Sequence, residues 1–307
     1  MPSTPSKSRP RTPKPVVQAT HEWSFQAIGT SWWIGIYQQV SADKRIQLQQ
    51  QIAERIEQFD RTYSRFRSDS LVTQIARSAG SYPLPTDAQK LFNLYRELYK
   101  ISGGLVTPLI GQVLSDAGYD AGYSLEPHKL TTPPAWDDVL HLQDTILTTS
   151  QPVLLDFGAA GKGYLVDIIS DLLKQAAVTQ FCVDASGDMY VNALAEPLRI
   201  GLEHPADAAQ VIGVAKVQQG ALCGSAGNRR AWAGYHHIMN PHTLQPAKTI
   251  KAAWVAAENT MLADGLTTAL FFVQHSELHA AFAFAHCVVY DDNSVQCSAD
   301  FPAELFT

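Results

Sequence analysis

The chain has 307 residues, of which 46% are hydrophobic and 17% charged, so it can bury a core in one or two domains. Its formal net charge is −6 and the only basic stretch is a short one at the start, which argues against nucleic-acid binding. The cysteines are widely spaced and form no CxxC pair, which argues against a structural zinc site and predicts reduced, mostly buried thiols at Cys182, Cys223, Cys287 and Cys297.

The first 22 residues are rich in proline, serine and basic side chains, and they lack the run of roughly seven apolar residues that a signal peptide needs. We predict a disordered tail over residues 1–22 and a folded domain over 23–307. Neither a signal peptide nor a lipobox is evident, and no stretch of roughly 18 apolar residues follows. A cytoplasmic location without a membrane segment is therefore expected, although a shortened chain would look the same.

The first elements are two extended segments and a helix. β-branched and aromatic residues alternate over residues 23–37 around a break at residues 29–30, which predicts a strand and a bend. Ser41 or Asp43 is expected to cap a helix. Apolar residues then recur at helical spacing over residues 48–63, which gives this helix one buried face.

The middle of the chain contains a glycine-rich loop and a second strand-to-helix passage. Asp87 is predicted to begin a second helix, and residues 102–120 are predicted to form a loop with short turns. Residues 153–157 are predicted to form a buried strand. A turn of small residues over 158–163 follows, and then an amphipathic helix.

In the last part of the chain we predict strands over residues 181–183, 197–202 and 211–217, an apolar helix from about Met261, and a helix followed by a strand over 280–289. Helices and strands alternate irregularly, and several strand pairs could form hairpins. This pattern favours an α+β fold, with mixed β-sheets and flanking helices, over a doubly wound sheet.

The turn that ends at Lys162 is a candidate phosphate site. Its small residues would let a ligand approach the backbone closely, while the amides of the following helix and the lysine charge both favour phosphate. The segment matches neither a Walker A loop nor GxGxxG. A tight strand-to-helix turn with a solvated lysine is the alternative interpretation.

A histidine-rich segment follows at residues 235–243. His236 and His237 are adjacent, so their side chains should point to opposite sides of a strand and not share a metal ion. A general acid/base or phosphate-contacting role for one of them is the functional hypothesis. An ordinary hydrogen-bonding histidine is the alternative.

A candidate cation site lies near the C-terminal end of the chain. Asp264 and Thr268 are four residues apart on a predicted helix and therefore share a face. Their surroundings are apolar, so the carboxylate needs a partner, and Mg²⁺ with its preference for oxygen ligands would supply one. The alternative is a carboxylate that simply interacts with a helix dipole.

Together these segments resemble the ApbE-like FAD:protein FMN transferase family, in matching order and spacing, from residue 23 nearly to the end. The segments that carry the resemblance are FQAIGT, FDRTYSRFRSDSLV, SGGLVTPLIG, LDFGAAGKGYLVD, VDASGDMYV, YHHIMNPHTLQP and ADGLTTALFFV. LDFGAAGKGYLVD, which is similar to the family's D-L-G-G-x-A-K-G-Y-x-x-D motif, is the most recognisable of them.

The resemblance implies an ApbE-like, T-fold-related, two-lobed single unit over residues 23–307. It also implies a Mg²⁺-dependent enzyme that cleaves the pyrophosphate of FAD, attaches FMN to a threonine or serine hydroxyl of a target protein, and releases AMP. FAD and that target protein are then the expected partners.

The resemblance also assigns site residues. It places the metal on Asp264, Thr268 and the main-chain carbonyl near Ala159, and catalysis on His237 and Lys162. The residues implied for FAD binding are Ile28, Gly29, Thr30, Leu105, Val106, Thr107, Lys162, Ser225, His237 and Ile238. Gly187 and Asp188 would shape an adjoining turn, and Asp188 could equally be a structural cap.

The sequence departs from the family pattern at several positions. Ile28 stands where methionine is usual, Thr107 and Asn240 replace aspartates, Leu244 replaces a glycine, and the turn over 223–226 keeps only its serine. Two alternatives therefore stay open: a relative that binds or hydrolyses FAD without modifying a protein, and a non-enzymatic scaffold. The catalytic interpretation requires residue 264 to lie beside the turn that ends at 162, with an open cleft between them.

Overall fold

The computed structural model describes residues 18–306. Residues 1–17, which make up most of the predicted tail, lie outside the described residues. The first strand begins at His21, two positions before the predicted start of the folded domain. None of the helices within the described range combines the length and the apolar character needed to cross a membrane.

The strands, in chain order, are β1 (His21–Ala27), β2 (Thr30–Ile36), β3 (Gly80–Pro83), β4 (Leu140–Gln143), β5 (Ile146–Thr149), β6 (Phe181–Asp184), β7 (Asp188–Asn192), β8 (Leu198–His204), β9 (Asp207–Val217), β10 (Gly220–Ala226), β11 (Ala231–Trp232), β12 (Tyr235–His236), β13 (Met239–Asn240), β14 (Gln245–Pro246), β15 (Ile250–Ala257), β16 (Ala285–Tyr290), β17 (Val295–Cys297) and β18 (Ala303–Leu305). The helices are α1 (Ala42–Tyr63), α2 (Leu71–Ile75), α3 (Ala88–Ile101), α4 (Gly111–Asp116), α5 (Trp136–Val139), α6 (Gly161–Gln175), α7 (Thr260–Ala269) and α8 (His275–His279).

The centre of the molecule is an eight-stranded sheet in the order β1-β2-β6-β7-β10-β15-β16-β17. Smaller sheets are formed by β18-β9-β8 and β3-β5-β4, and β11-β12 and β13-β14 form short ribbons. Every strand pair in the described residues is antiparallel. The predicted α+β class is confirmed, but within the described residues the sheets are antiparallel and not mixed.

The two faces of the central sheet bury different layers, because successive side chains of a strand point in opposite directions. On β10, for example, Ala221 and Cys223 pack into a core shared with α1, α3, α6 and α7. Leu222, between them, packs into a second core with β8, β9 and β18. Helices therefore cover one face of the sheet and a small sheet covers the other.

The predicted capping and strand positions are largely confirmed. Ser41 caps α1, and its hydroxyl accepts a hydrogen bond from the Lys44 amide at 3.3 Å. Asp87 occupies the N-cap position of α3, but its carboxylate pairs with Arg55 instead of capping the helix. The bend predicted at residues 29–30 is the turn between β1 and β2.

Three details of the predicted secondary structure are wrong. Residues 153–157 form no strand, because this segment pairs with no other strand and makes only isolated backbone hydrogen bonds, such as that from the Asp156 amide to the Pro108 carbonyl at 2.7 Å. The predicted loop over 102–120 contains α4. The helix predicted from residue 280 ends at His279.

The cysteine prediction is half confirmed. Cys182 and Cys223 are buried free thiols. Cys287 and Cys297 lie directly opposite one another on β16 and β17 and are joined by a disulfide, so the expectation of reduced thiols is wrong for them. The sequence did not reveal this pairing because it arises from strand register, not from a short spacing motif.

Candidate active site

A single cavity of about 830 Å³ gathers the residues that the sequence predicted for the site. It is bounded by the β1–β2 turn, the loop before α4, the turn before α6, strand β10 and helix α7. The predicted residues that line it are Ile28, Gly29, Thr30, Leu105, Val106, Thr107, Ala159, Lys162, Ser225, His237, Ile238, Asp264 and Thr268. Segments more than 200 residues apart in sequence therefore share one open space.

Helices α6 and α7 set the geometry at the floor of the cavity. The Asp167 carboxylate on α6 accepts hydrogen bonds from the Thr260 and Met261 amides, both at 2.8 Å, and so holds the first turn of α7. At the other point of contact a side chain at Gly163 would lie only 2.2 Å from the Thr260 carbonyl oxygen. The absence of a side chain there lets the two helices touch.

The close approach puts the predicted metal and phosphate segments in direct contact. The Gly163 amide donates a hydrogen bond of 2.9 Å to Oδ2 of Asp264, whose residue is only 3% exposed. The carboxylate at 264 therefore does lie beside the turn that ends at Lys162. The cleft above them is open, as the catalytic interpretation requires.

Charged groups are concentrated behind this contact. The Lys162 ammonium group pairs with Asp188 on β7 and also donates to the Ala185 carbonyl oxygen at 3.2 Å. Burial lowers the pKa of Lys162, but the charges of Asp188 and Asp264 outweigh that effect and raise it overall. The lysine is therefore a fixed positive charge at the cavity wall.

Asp264 is in the opposite situation. Burial and the neighbouring charge of Asp188 raise the pKa of Asp264 well above its usual value, and Lys162 offsets this only in part. A buried carboxylate with too little compensating charge is the kind of group that a bound cation would stabilise in its ionised form.

Supporting contacts hold the residues around the carboxylate in place. The Tyr95 hydroxyl accepts a hydrogen bond from the Ala159 amide at 3.2 Å, which fixes the turn before α6. On the other side the Ser225 hydroxyl bonds to that of Thr267 at 2.8 Å, and Thr267 also donates to the Asp264 carbonyl oxygen at 2.7 Å. Ser225 thus ties β10 to α7.

The two adjacent histidines have different environments. His236 is fully engaged, because Nε2 bonds to the Ala247 carbonyl oxygen at 2.8 Å and Nδ1 accepts from the Ile238 amide at 3.2 Å. His237 lines the cavity, and its buried Nδ1 has no hydrogen-bond partner in the described residues. Burial, together with the charge of Arg230, lowers the pKa of His237 to about 3, so its imidazole is neutral.

The family comparison agrees with this arrangement. Residues 28–287 match the model of the ApbE family. The chain belongs to the ApbE family. The matched range contains every cavity residue that the sequence predicted.

Relatives in the ApbE family support the same assignment. A protein of Rhodobacter capsulatus named FAD:protein FMN transferase is 26% identical over 211 residues, covering 64% of this chain, but this chain spans only 40% of that protein's length. One of the same name from Treponema pallidum is 26% identical over 281 residues, covering 81% of this chain and 78% of the relative. The predicted enzyme class matches these names.

A solved structure supports the fold. The ApbE protein of Thermotoga maritima superposes with a TM-score of 0.78 at 21% identity, covering 92% of this chain and 99% of that one. The predicted ApbE-like fold is therefore confirmed.

Arg65 and its partner Asp156 line the cavity but were not singled out from the sequence, although both lie in segments that resemble ApbE motifs. Arg65, which is 5% exposed, donates to the Asp156 carboxylate and to the Tyr119 carbonyl oxygen at 2.6 Å. Its Nη2 is buried without a partner in the described part of the chain. The run SRFR directly after a helix end was the available signal. Arg65 therefore offers an unpaired donor at the cavity wall.

The residues that differ from the ApbE pattern still support the backbone of their turns. The Thr107 hydroxyl accepts from the Leu109 amide at 3.2 Å, and the Asn240 side-chain oxygen accepts from the two amides that follow Pro241, at 2.9 and 3.0 Å. Leu244 has φ 58°, a backbone conformation that explains the glycine found there in the family pattern. The turns thus survive these substitutions.

The β1–β2 turn at the cavity edge is strained. Ile28 has φ 43°, which is unfavourable for a β-branched residue, and Gly29 follows with φ 75°. Such strain commonly occurs at ligand-binding positions.

The turn between β6 and β7 is capped by Asp184 and not by Asp188. The Asp184 carboxylate accepts a hydrogen bond from the Gly187 amide at 2.8 Å.

Proposed function

We propose that this chain transfers FMN from FAD to a threonine or serine hydroxyl of a target protein, in a Mg²⁺-dependent reaction that releases AMP. The observation that carries the proposal is the contact between Gly163 and Asp264 at the floor of an open cavity. This contact joins a helix N-terminus that would favour phosphate to a buried carboxylate.

The cavity has the size and charge for a dinucleotide. Its volume of about 830 Å³ lies within the range typical of small-molecule sites. The N-terminus of the 15-residue helix α6 and the Lys162 ammonium group favour a diphosphate at the floor. Arg65 and Arg230 add positive charge along the wall, so an anionic substrate is favoured although the chain as a whole is acidic.

The residues present also suit the expected metal. The Asp264 carboxylate, the Thr268 hydroxyl and the Ala159 carbonyl group offer only oxygen atoms, which is the ligand chemistry that Mg²⁺ prefers. The raised pKa of Asp264 is consistent with a carboxylate that needs a cation. When bound, Mg²⁺ would offset the negative charge of the diphosphate in the transition state.

In the proposed reaction the target's hydroxyl oxygen attacks the phosphorus on the FMN side of the diphosphate. The bond from that phosphorus to the bridging oxygen breaks, and AMP leaves with the bridging oxygen and its electron pair. Lys162 stabilises the charge on the phosphoryl oxygens. The unpartnered Nδ1 of His237 is available to accept the hydroxyl proton or to hold a phosphate oxygen.

The experiment is incubation of the purified chain with FAD and Mg²⁺, with and without candidate target proteins. AMP release together with a fluorescent target band on a denaturing gel supports the transferase. AMP release without a fluorescent band for any target supports the pyrophosphatase alternative, in which water replaces the hydroxyl. FAD binding without AMP release, or no FAD binding at all, contradicts the proposal.

A further inference from the structure

A second group of chemically active side chains lies outside the cavity. His275 and His279 are on α8 and His286 is on β16, and one ring nitrogen from each lies within 4.8 Å of the others. None of these three residues lines the cavity described above. We call them the histidine cluster.

The spacing of the cluster suits metal coordination. His275 and His279 are four residues apart on a helix, so they share one face, as do the paired histidines of helical zinc sites. His286 reaches them from the adjacent strand, and its Nδ1 lies 3.3 Å from Nε2 of His279. Two elements thus bring one nitrogen from each of three imidazoles together. The rings of His275 and His286 are stacked, with centroids 4.6 Å apart, and would turn to share one ion.

The deepest member of the cluster has an unmet polar atom. His286 is 2% exposed, and its Nε2 is buried with no hydrogen-bond partner among residues 18–306. Because a neutral imidazole has one donor and one acceptor nitrogen, the contact with His279 satisfies only one of them. A buried polar atom without a partner is unfavourable unless a ligand changes its surroundings.

Solvent can reach the histidine cluster. His279 is exposed, which leaves a path from solvent and room for a water ligand.

We propose that His275, His279 and His286 bind a divalent transition-metal ion such as Zn²⁺ and thereby clip α8 to strand β16 of the central sheet. An all-imidazole site suits Zn²⁺, Ni²⁺ or Cu²⁺ and does not suit Mg²⁺ or Ca²⁺, which prefer oxygen ligands. This site is separate from the cation expected at Asp264.

Binding one ion would require the ligand nitrogens to close up and the stacked rings to turn. In a tetrahedral site with Zn–N distances of about 2.0–2.1 Å, the ligand nitrogens lie roughly 3.3 Å apart. The separations of up to 4.8 Å therefore close by about 1.5 Å. His279 stacks on Phe284, with ring centroids 4.0 Å apart, and this packing fixes the plane of its ring.

The test is zinc binding by the full chain without a polyhistidine tag. After equilibrium dialysis against ZnCl₂ with excess MgCl₂, we expect one tightly bound zinc per chain, and the same in Asp264→Asn. We expect the double variant His275→Ala/His279→Ala to bind zinc more than about 100-fold more weakly, because losing even an outer partner of a metal ligand typically costs 10–100-fold. His128→Ala/His141→Ala, which changes two exposed histidines elsewhere, is the matched control and should bind like the wild type.

A second readout tests the clip. Zinc should raise the thermal unfolding midpoint of the wild type and the control by at least about 2 °C, and that of the double variant not at all. Equal zinc affinity in the wild type and the double variant would overturn the proposal. So would loss of the bound zinc in Asp264→Asn with retention in the double variant, because the ion would then belong to the cavity.

Discussion

The cavity and the histidine cluster both contain buried polar groups, but they are built in different ways. In the cavity, charged groups compensate one another, as the pairing of Lys162 with Asp188 illustrates. In the cluster, three imidazoles place one ring nitrogen each within 4.8 Å of the others. The cavity draws its residues from most of the chain, whereas the cluster draws them from residues 275–286.

This difference has a physical consequence. Paired buried charges depend on the exact approach of several elements, since a buried charge that loses its partner is strongly unfavourable. The three imidazoles of the cluster form no ion pair among residues 18–306, and a bound ion would draw their nitrogens together. The cavity should therefore be sensitive to any change in helix packing, and the cluster should respond mainly to metal.

The largest expected effect is that of Asp264→Asn on the cavity. The amide keeps an acceptor for the Gly163 amide but removes the charge, so AMP release from FAD should fall by at least about 100-fold and lose its dependence on Mg²⁺ concentration. Initial rates across a Mg²⁺ titration measure this. Asp171→Asn, on the exposed side of α6, should behave like the wild type. Unchanged turnover in Asp264→Asn would remove the metal assignment.

Gly163→Ala should break the cavity by separating α6 from α7. The added methyl group would lie 2.2 Å from the Thr260 carbonyl oxygen and 2.7 Å from Cβ of Asp264, so one helix must move. We expect a loss of about 1–3 kcal/mol in the free energy of unfolding together with reduced FAD turnover. Denaturant melts and AMP assays measure the two effects. Zinc binding by the histidine cluster should be unchanged, and wild-type stability in this variant would contradict the packing argument.

Burial of His237 should make the free energy of unfolding fall in acid. The His237 pKa of about 3 in the folded chain lies below the ordinary 6.5, so the unfolded chain takes up the proton first as the pH falls. Stability is therefore lost between pH 6.5 and about 3, with a limiting slope of about 1.4 kcal/mol per pH unit from this group. His237→Asn should flatten the pH dependence of the unfolding free energy, whereas His128→Asn, at an exposed site, should not. Identical slopes in the wild type and His237→Asn would contradict the buried, neutral state.

The smallest expected effect tests the end of α6 away from the cavity. Ala177 follows the helix in a left-handed conformation, with φ 56°, which favours glycine over residues with a side chain. Because the Ala177 side chain is exposed, its removal loses little packing. Ala177→Gly should stabilise the chain by up to about 1 kcal/mol and leave AMP release unchanged. Ala176→Gly, where φ is −81°, should be neutral or destabilising. Thermal melts of the two variants show whether backbone conformation alone decides if a glycine substitution raises or lowers the stability of the chain.

The sequence was most informative where a pattern is local. The N-cap at Ser41, the helix after the turn that ends at Lys162, and the shared face of Asp264 and Thr268 all follow from short-range rules. The strand predicted over residues 153–157 was wrong because a buried strand and a buried loop have the same apolar character. Arg65 was missed because its importance depends on a partner, Asp156, that is 91 positions away.

The sequence by itself determined the family and the α+β class, because local motifs in a fixed order carry both, and through that resemblance it pointed to thirteen of the residues that line the cavity. Only the tertiary structure decided that Gly163 touches Asp264, that Cys287 pairs with Cys297, and that His286 meets the two histidines of α8. The physical reason is that such contacts depend on strand register and helix approach, which no short stretch of sequence encodes.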